Sequence, residues 1–171
     1  MSDAGRLSVR RTGRKWHVIS ELDLMRLMAD HSQMDQICSA LLSGTESSVQ
    51  LAIRLRDLLD TTLIPHARNE EMWLEDRLLG ENVPPIAHSL LDAVRTGHCT
   101  MIHGCRRLAN ALETSTEVPM DLVHAFIDTC RQGMMLETLV ISYLADQRLT
   151  PEARQLLEHS MVSLQSSRVD A

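Results

Sequence analysis

Trp16, Trp73, Phe126 and Tyr143 are the only aromatic residues in this 171-residue chain, and no run of β-branched residues alternates with polar ones. A half-buried strand needs that alternation, so a sheet-based fold is excluded and an all-α fold is expected. Long apolar runs are also missing. Nothing approaches the roughly 20 residues of a membrane-spanning helix, and the N-terminus carries charge without an apolar signal region. The chain therefore reads as cytoplasmic, with no membrane partner. Cysteine is scarce: Cys38, Cys99, Cys105 and Cys130 fall inside helical patterns and lack the paired spacing of zinc knuckles or secreted frameworks. They read as reduced, buried thiols. A chain of this length, 44% hydrophobic, needs no such staples, because one domain of this size buries a full core.

Positive charge is missing from most of the chain. Residues 1–15 hold Arg6, Arg10, Arg11, Arg14 and Lys15 against Asp3, leaving twelve basic and twenty-two acidic residues for the rest. The N-terminal arm is thus basic and the body acidic. An acidic body repels phosphate, and no aromatic interleaving or recognition-helix pattern supports nucleic-acid readout, so no nucleic-acid partner is expected. The arm reads as a solvated tail able to fold back on the acidic body.

What is present in quantity is helical patterning. A first helix is expected from about Ser20 to Ser43, stopped by Gly44. Ser47 with Gln50 forms a capping box that opens a second, which ends before Gly80. Pro84 and Pro85 suit the first turn of a third helix, Pro119 that of a fourth, and Thr150-Pro151 the start of a short fifth. The expected organisation is a basic arm over 1–19, a four-helix body over 20–148, and a C-terminal helix and tail over 149–171. Pro65 lies inside the second helix and removes one backbone hydrogen bond just before His66, predicting a kink or loosened turn there.

The inner stripes of these helices carry polar groups at a fixed spacing. His31 and His98 lie 67 residues apart, as do Glu70 and Glu137. Hydrophobic positions repeat in the same register: Met34 with Met101, Cys38 with Cys105, Leu41 with Leu108, Leu55 with Leu122, Leu59 with Phe126, Thr62 with Thr129 and Leu74 with Ile141. A repeat of this kind predicts two copies of a helical hairpin packed into an up-down four-helix bundle. One position spoils the copy, because the counterpart of His66 is Gly133. The repeat asks for six metal ligands and the sequence supplies five: His31, His66, Glu70, His98 and Glu137.

Two buried carboxylates cost several kcal/mol each unless something positive compensates them. No lysine or arginine shares the inner stripes, so a metal is the expected compensation. His66 and Glu70, four apart, lie one turn from each other on one face. Mixed nitrogen and oxygen ligands suit iron, with manganese or zinc as alternatives, and speak against calcium or copper(I). His17, His88, His103, His124 and His159 read as surface or structural histidines, and the ten methionines as flexible core filler.

These residues resemble the hemerythrin-like, HHE cation-binding family. Asp30-His31 is similar to its first ligand motif and His66-Ala67-Arg68-Asn69-Glu70-Glu71 to its His-x-x-x-Glu-Glu motif. His98 and Glu137 match the third-helix histidine and the second carboxylate, while Gly133 stands where the family has its last histidine. The likeness covers about residues 24–147. It implies a four-helix bundle with a non-heme di-iron centre that binds or senses dioxygen, nitric oxide or peroxide. By that analogy His31 and His66 serve one metal and His98 the other, with Glu70 and Glu137 bridging. Oxygen carriers place a second histidine four residues after the third-helix one; Ile102 stands there, and His103 is rotated away from His98.

Glycine at 133 leaves the second metal short of a ligand. Either that ion is lost and the centre is mononuclear, or water completes it and leaves an open coordination position. Cys130 and Met134 are the nearest sulfur alternatives, and Gly133 itself either makes room for a bound ligand or marks close packing. A competing expectation is a metal-poor helical bundle acting as a regulatory interaction module. Catalytic turnover, and self-association into a homo-oligomer, stay open.

Overall fold

Helices follow from the sequence's own punctuation. In the computed structural model, which describes residues 9–12, 15–17, 21–75, 85–115, 117–148 and 155, with side chains over 29–75, 85–115 and 117–141 and at 155, α1 spans Glu21–Ser43. It stops at Gly44, whose φ of 62° is a conformation that side chains disfavour. Ser47 then opens α2 (Ser48–Leu58): its hydroxyl accepts from the Gln50 N–H, and the Gln50 side chain accepts from the Ser47 N–H, completing the capping box. A π-helical turn over Leu59–Leu63 leads into α3 (Ile64–Trp73). Right-handed helical dihedrals hold through every junction, so α2, the turn and α3 form one continuous rod. Two long helices follow, α4 (Pro85–Thr114) and α5 (Met120–Arg148). Pro119 accepts from the N–H groups of Leu122 and Val123 just ahead of α5.

The loosened turn expected near Pro65 is the π-helical turn itself. The Ile64 N–H reaches back five residues to the Leu59 carbonyl, which widens the rod immediately before the residue whose ring would press on the preceding turn. Pro85 opens α4 as expected; Pro84 and the fifth helix expected from Thr150-Pro151 lie outside the described residues.

Outside the helices, the described residues hold two short antiparallel strands in the N-terminal arm, β1 (Val9–Thr12) and β2 (Lys15–His17). The sequence reading expected no strand. Segments of four and three residues are too short to show alternation, although Val9, Thr12 and Trp16 are strand-favouring types. β2 lies beside α5. Among the described residues, no helix is long and apolar enough to cross a membrane.

Each rod turns one stripe inward. α1 buries His31, Met34, Cys38 and Leu41, while α4 buries Leu91, Val94, His98, Met101, Cys105, Leu108 and Leu112. α4 packs against α2, α3 and α5, and α1 against the same three. The largest apolar cluster joins Met34–Leu41, Leu51–Leu63, Met101–Leu112 and Val123–Cys130. At about 1.5–3 kcal/mol per fully buried aliphatic side chain, it supplies most of the driving force for packing the rods. Leu74, Leu91, Val94, Val140 and Ile141 are buried farther along the same rods. His66, Glu70, His98 and Glu137 lie along the rods between these two apolar regions.

Candidate metal centre

All five residues that the sequence nominates are buried: His31 is 5% exposed, His66 2%, Glu70 3%, His98 2% and Glu137 1%. Apart from Thr62, they are the only buried polar or charged residues among those described. α1 supplies His31, α3 supplies His66 and Glu70, α4 supplies His98 and α5 supplies Glu137, so four rods converge on one point.

At that point His98 Nε2 lies 2.9 Å from Glu70 Oε2 and 3.1 Å from Glu137 Oε1. His31 Nε2 donates to Glu137 Oε2 at 2.8 Å. His66 Nε2 sits 3.6 Å from Glu70 Oε2 and 3.5 Å from Glu137 Oε2, facing both carboxylates and hydrogen-bonded to neither. One ligand atom from each of His66, Glu70, His98 and Glu137 falls within 4.8 Å of the others, a spacing that a single ion can bridge. His31 stands outside this group of four and is tied to it through Glu137.

Two further carboxylates aim the imidazoles. Asp30 Oδ2 lies 3.4 Å from His66 Nδ1, and Glu71 Oε1 accepts from His98 Nδ1 at 3.0 Å. Holding Nδ1 from outside turns Nε2 inward, the arrangement that orients a metal-binding histidine and raises its basicity. Arg95 lies 3.7 Å from Glu71 and 2.8 Å from Glu75, fixing the outer carboxylate in turn. In the sequence, Asp30 and Glu71 stand inside the two ligand motifs, and nothing there assigns them this role. Their adjacency to His31 and Glu70 was the available signal, but adjacency does not say which ring each reaches.

The electrostatics follow from burial. For His66, desolvation favours the neutral ring, but the hydrogen bond with Asp30 and the nearby carboxylates of Glu137 and Glu70 outweigh it and raise the pKa to about 9. His98 is likewise disfavoured as a cation by burial, yet Glu137 and Glu70 raise it to about 10. Burial pushes Glu137 upward, and the three imidazoles of His31, His66 and His98 beside it reverse this, holding it far below the usual carboxylate range. With no cation other than protons, the carboxylates are neutralised by imidazolium.

Protons satisfy this cluster poorly. Among the described residues, the buried polar side-chain atoms without a hydrogen-bond partner are His66 Nε2, Glu70 Oε1 and Trp73 Nε1. Two of the three belong to residues of the cluster. An orphaned buried polar atom costs about 1–3 kcal/mol. A divalent cation would engage His66 Nε2 and Glu70 together, so the residues present fit a metal ion.

Gly133 is not beside an open space. A Cβ built there would meet Met101 Sδ and Cε, each at 2.9 Å. Of the two readings of this glycine, room for a ligand and close packing, the second fits: the Met101 thioether fills the space, because a flexible side chain settles into a gap next to glycine. The two sulfur candidates named from sequence lie elsewhere. Cys130 is hydrogen-bonded to Cys38, which raises its pKa while lowering that of Cys38, and Met134 is half-buried against the apolar cluster. Met101 was the sulfur to find, and its place three residues after His98 was the signal. His88, His103 and His124 are exposed, as expected; the side chains of His17 and His159 lie outside the described residues. No protein-family model, no curated protein and no solved structure matches this chain.

Proposed function

We propose that the chain is a non-heme iron protein of the hemerythrin-like type, an up-down bundle of two duplicated hairpins that binds or senses a small ligand such as dioxygen, nitric oxide or peroxide. One observation carries the reading: His66, Glu70, His98 and Glu137 converge within 4.8 Å in a dry interior, with His66 Nε2 and Glu70 Oε1 lacking any other partner. Support for the opposed directions of α1 and α5 comes from two contacts in register, His31 with Glu137 and Cys38 with Cys130.

In this reading His66 and His98 hold the ion through Nε2, Glu70 and Glu137 through carboxylate oxygens, and His31 either joins them or keeps Glu137 in place. Bound iron would supply a redox-active centre that takes up small oxygen or nitrogen species. The protein's own part is electrostatic and steric. Asp30 and Glu71 keep the rings aimed, burial of all five side chains keeps bulk water away, and His66 and His98 release the protons that a metal displaces. Nitrogen and carboxylate donors favour iron, with manganese or zinc as substitutes.

The test is anaerobic loading with Fe(II), removal of free metal, then elemental analysis with an absorption spectrum before and after exposure to air and to nitric oxide. Retained iron and a melting temperature lowered by chelator are expected, and Glu70→Ala should abolish both. The rival reading, a metal-poor bundle serving as a regulatory interaction module, has its own support in the raised pKa values of His66 and His98, since protons alone neutralise the cluster. It becomes the better account if no metal is retained and chelator leaves the melting temperature unchanged.

A further inference from the structure

We propose that Met101 closes the second metal position and restricts this site to a single divalent ion. The inference deepens the metal-binding reading above and rests on it. Residue 133 is the counterpart of His66 in the repeat, so glycine there removes a ligand on α5 four residues before Glu137. A Cβ at 133 would lie 2.9 Å from both Sδ and Cε of Met101 and 3.6 Å from its Cγ. The thioether therefore stands where the first atoms of a sixth ligand's side chain would be. Met101 is 1% exposed and follows His98 by three residues, which sets it on the same face of α4. Its counterpart Met34, three residues after His31, is equally buried with His66 present. A methionine is thus buried at this position in both halves, but only at 133 is there no side chain to keep the thioether from the ligand's place.

Two consequences follow for a metal. A second ion served by His98 alone needs water to complete it, and the apolar thioether fills that space. Charge points the same way. With the imidazoles neutral, Glu70 and Glu137 carry two negative charges, which one divalent ion balances; a second needs an anion such as hydroxide to enter with it, and Met101 fills the space that anion would take. Asp30 and Glu71 do not alter this balance, since they meet Nδ1 from the outside with side chains 20% and 29% exposed, and Arg95 already offsets Glu71.

Equilibrium dialysis against Co(II), with elemental analysis, reads the stoichiometry directly. One equivalent is expected for the full wild-type chain. Met101→Leu keeps the apolar volume without the sulfur and should keep the count at one. The double variant Met101→Ala/Gly133→His, checked for helicity by circular dichroism, should take up two equivalents. Two equivalents in the wild type would overturn the proposal, as would a folded double variant that still binds one. A tenfold loss of affinity in Met101→Leu would overturn it as well, by making the sulfur a ligand. If the double variant does not fold, the wild-type count decides. Absence of any bound metal from the wild type refutes the parent reading instead, and so is distinguishable from failure of this one.

Discussion

The two halves of the chain, related by 67 residues, agree in their core and disagree around the site. Met34 and Met101, Cys38 and Cys105, Leu41 and Leu108, and Leu74 and Ile141 are buried in both copies. The counterparts of Leu55 and Thr62 are only half-buried: Leu122 packs at the edge of the apolar cluster, and Thr129 donates within its own helix to Ala125. Around the ligands the divergence is larger. Asp30, Pro65, His66 and Glu71 in the first half correspond to Gly97, Gln132, Gly133 and Thr138 in the second. The first half thus supplies both orienting carboxylates, the π-helical turn and the extra imidazole. The second supplies His98 and Glu137, and an uninterrupted α5. Core positions obey the duplication because volume and polarity suffice there, whereas the site needs particular groups at particular atoms.

The sharpest way to break the comparison is at Glu137, on which His31, His66 and His98 all converge. Glu137→Ala leaves imidazoles facing one another in a dry interior and should lose about 3–5 kcal/mol of stability, as when one partner of a buried pair is removed. Urea denaturation measures it, and metal uptake should vanish in the same variant.

An effect of similar order should appear with pH in the metal-free protein. His66 and His98 titrate in the fold near 9 and 10 against 6.5 for an ordinary histidine. The stability they contribute is whole below about pH 6.5 and is lost as pH rises through 9 and 10. Glu137 behaves oppositely. Its lowered pKa stabilises the fold above the ordinary value of 4.5, and that contribution disappears as pH falls below it. Melting temperature should therefore peak between about pH 4.5 and 6.5, and bound metal should remove the alkaline loss by replacing the protons. A metal-free profile that stays flat to pH 10 would contradict the imidazolium–carboxylate pairing.

Leu41 and Leu108, each 1% exposed, test the agreement between halves. Replacing either by alanine should cost about 2–5 kcal/mol, and the two costs should match within about 1 kcal/mol if the copies pack alike. A large inequality in denaturation midpoints would show that the apolar repeat is only nominal.

Smaller and more local changes sharpen the asymmetry. Asp30→Asn and Glu71→Gln should each weaken metal binding about 10–100-fold while leaving the fold intact, since each only aims a ring. Competition with a chelator of known affinity measures the loss. The same treatment of Asp92, exposed on α4 and 3.6 Å from Arg95, should have a far smaller effect.

Much of this was legible in the chain. Gly44, the Ser47–Gln50 box, Pro85 and the three-four spacing of apolar residues mark helices because capping and burial are local or periodic requirements. The in-register recurrence of His31 with His98 and of Glu70 with Glu137 marks an inward-facing polar cluster in the sequence itself. Pro65 announced a disturbed turn, although a missing N–H does not by itself say that the rod widens instead of bending.

What only the tertiary structure decided are the contacts between rods. Which carboxylate reaches which Nδ1, that Cys130 meets Cys38, and that the gap at Gly133 is filled by Met101 depend on distances between helices distant in sequence. A helical period tells which face a residue occupies. It carries no information about how far a flexible side chain on one rod reaches into a space left by another, so the chain alone named the ligands and the packed rods settled how they meet.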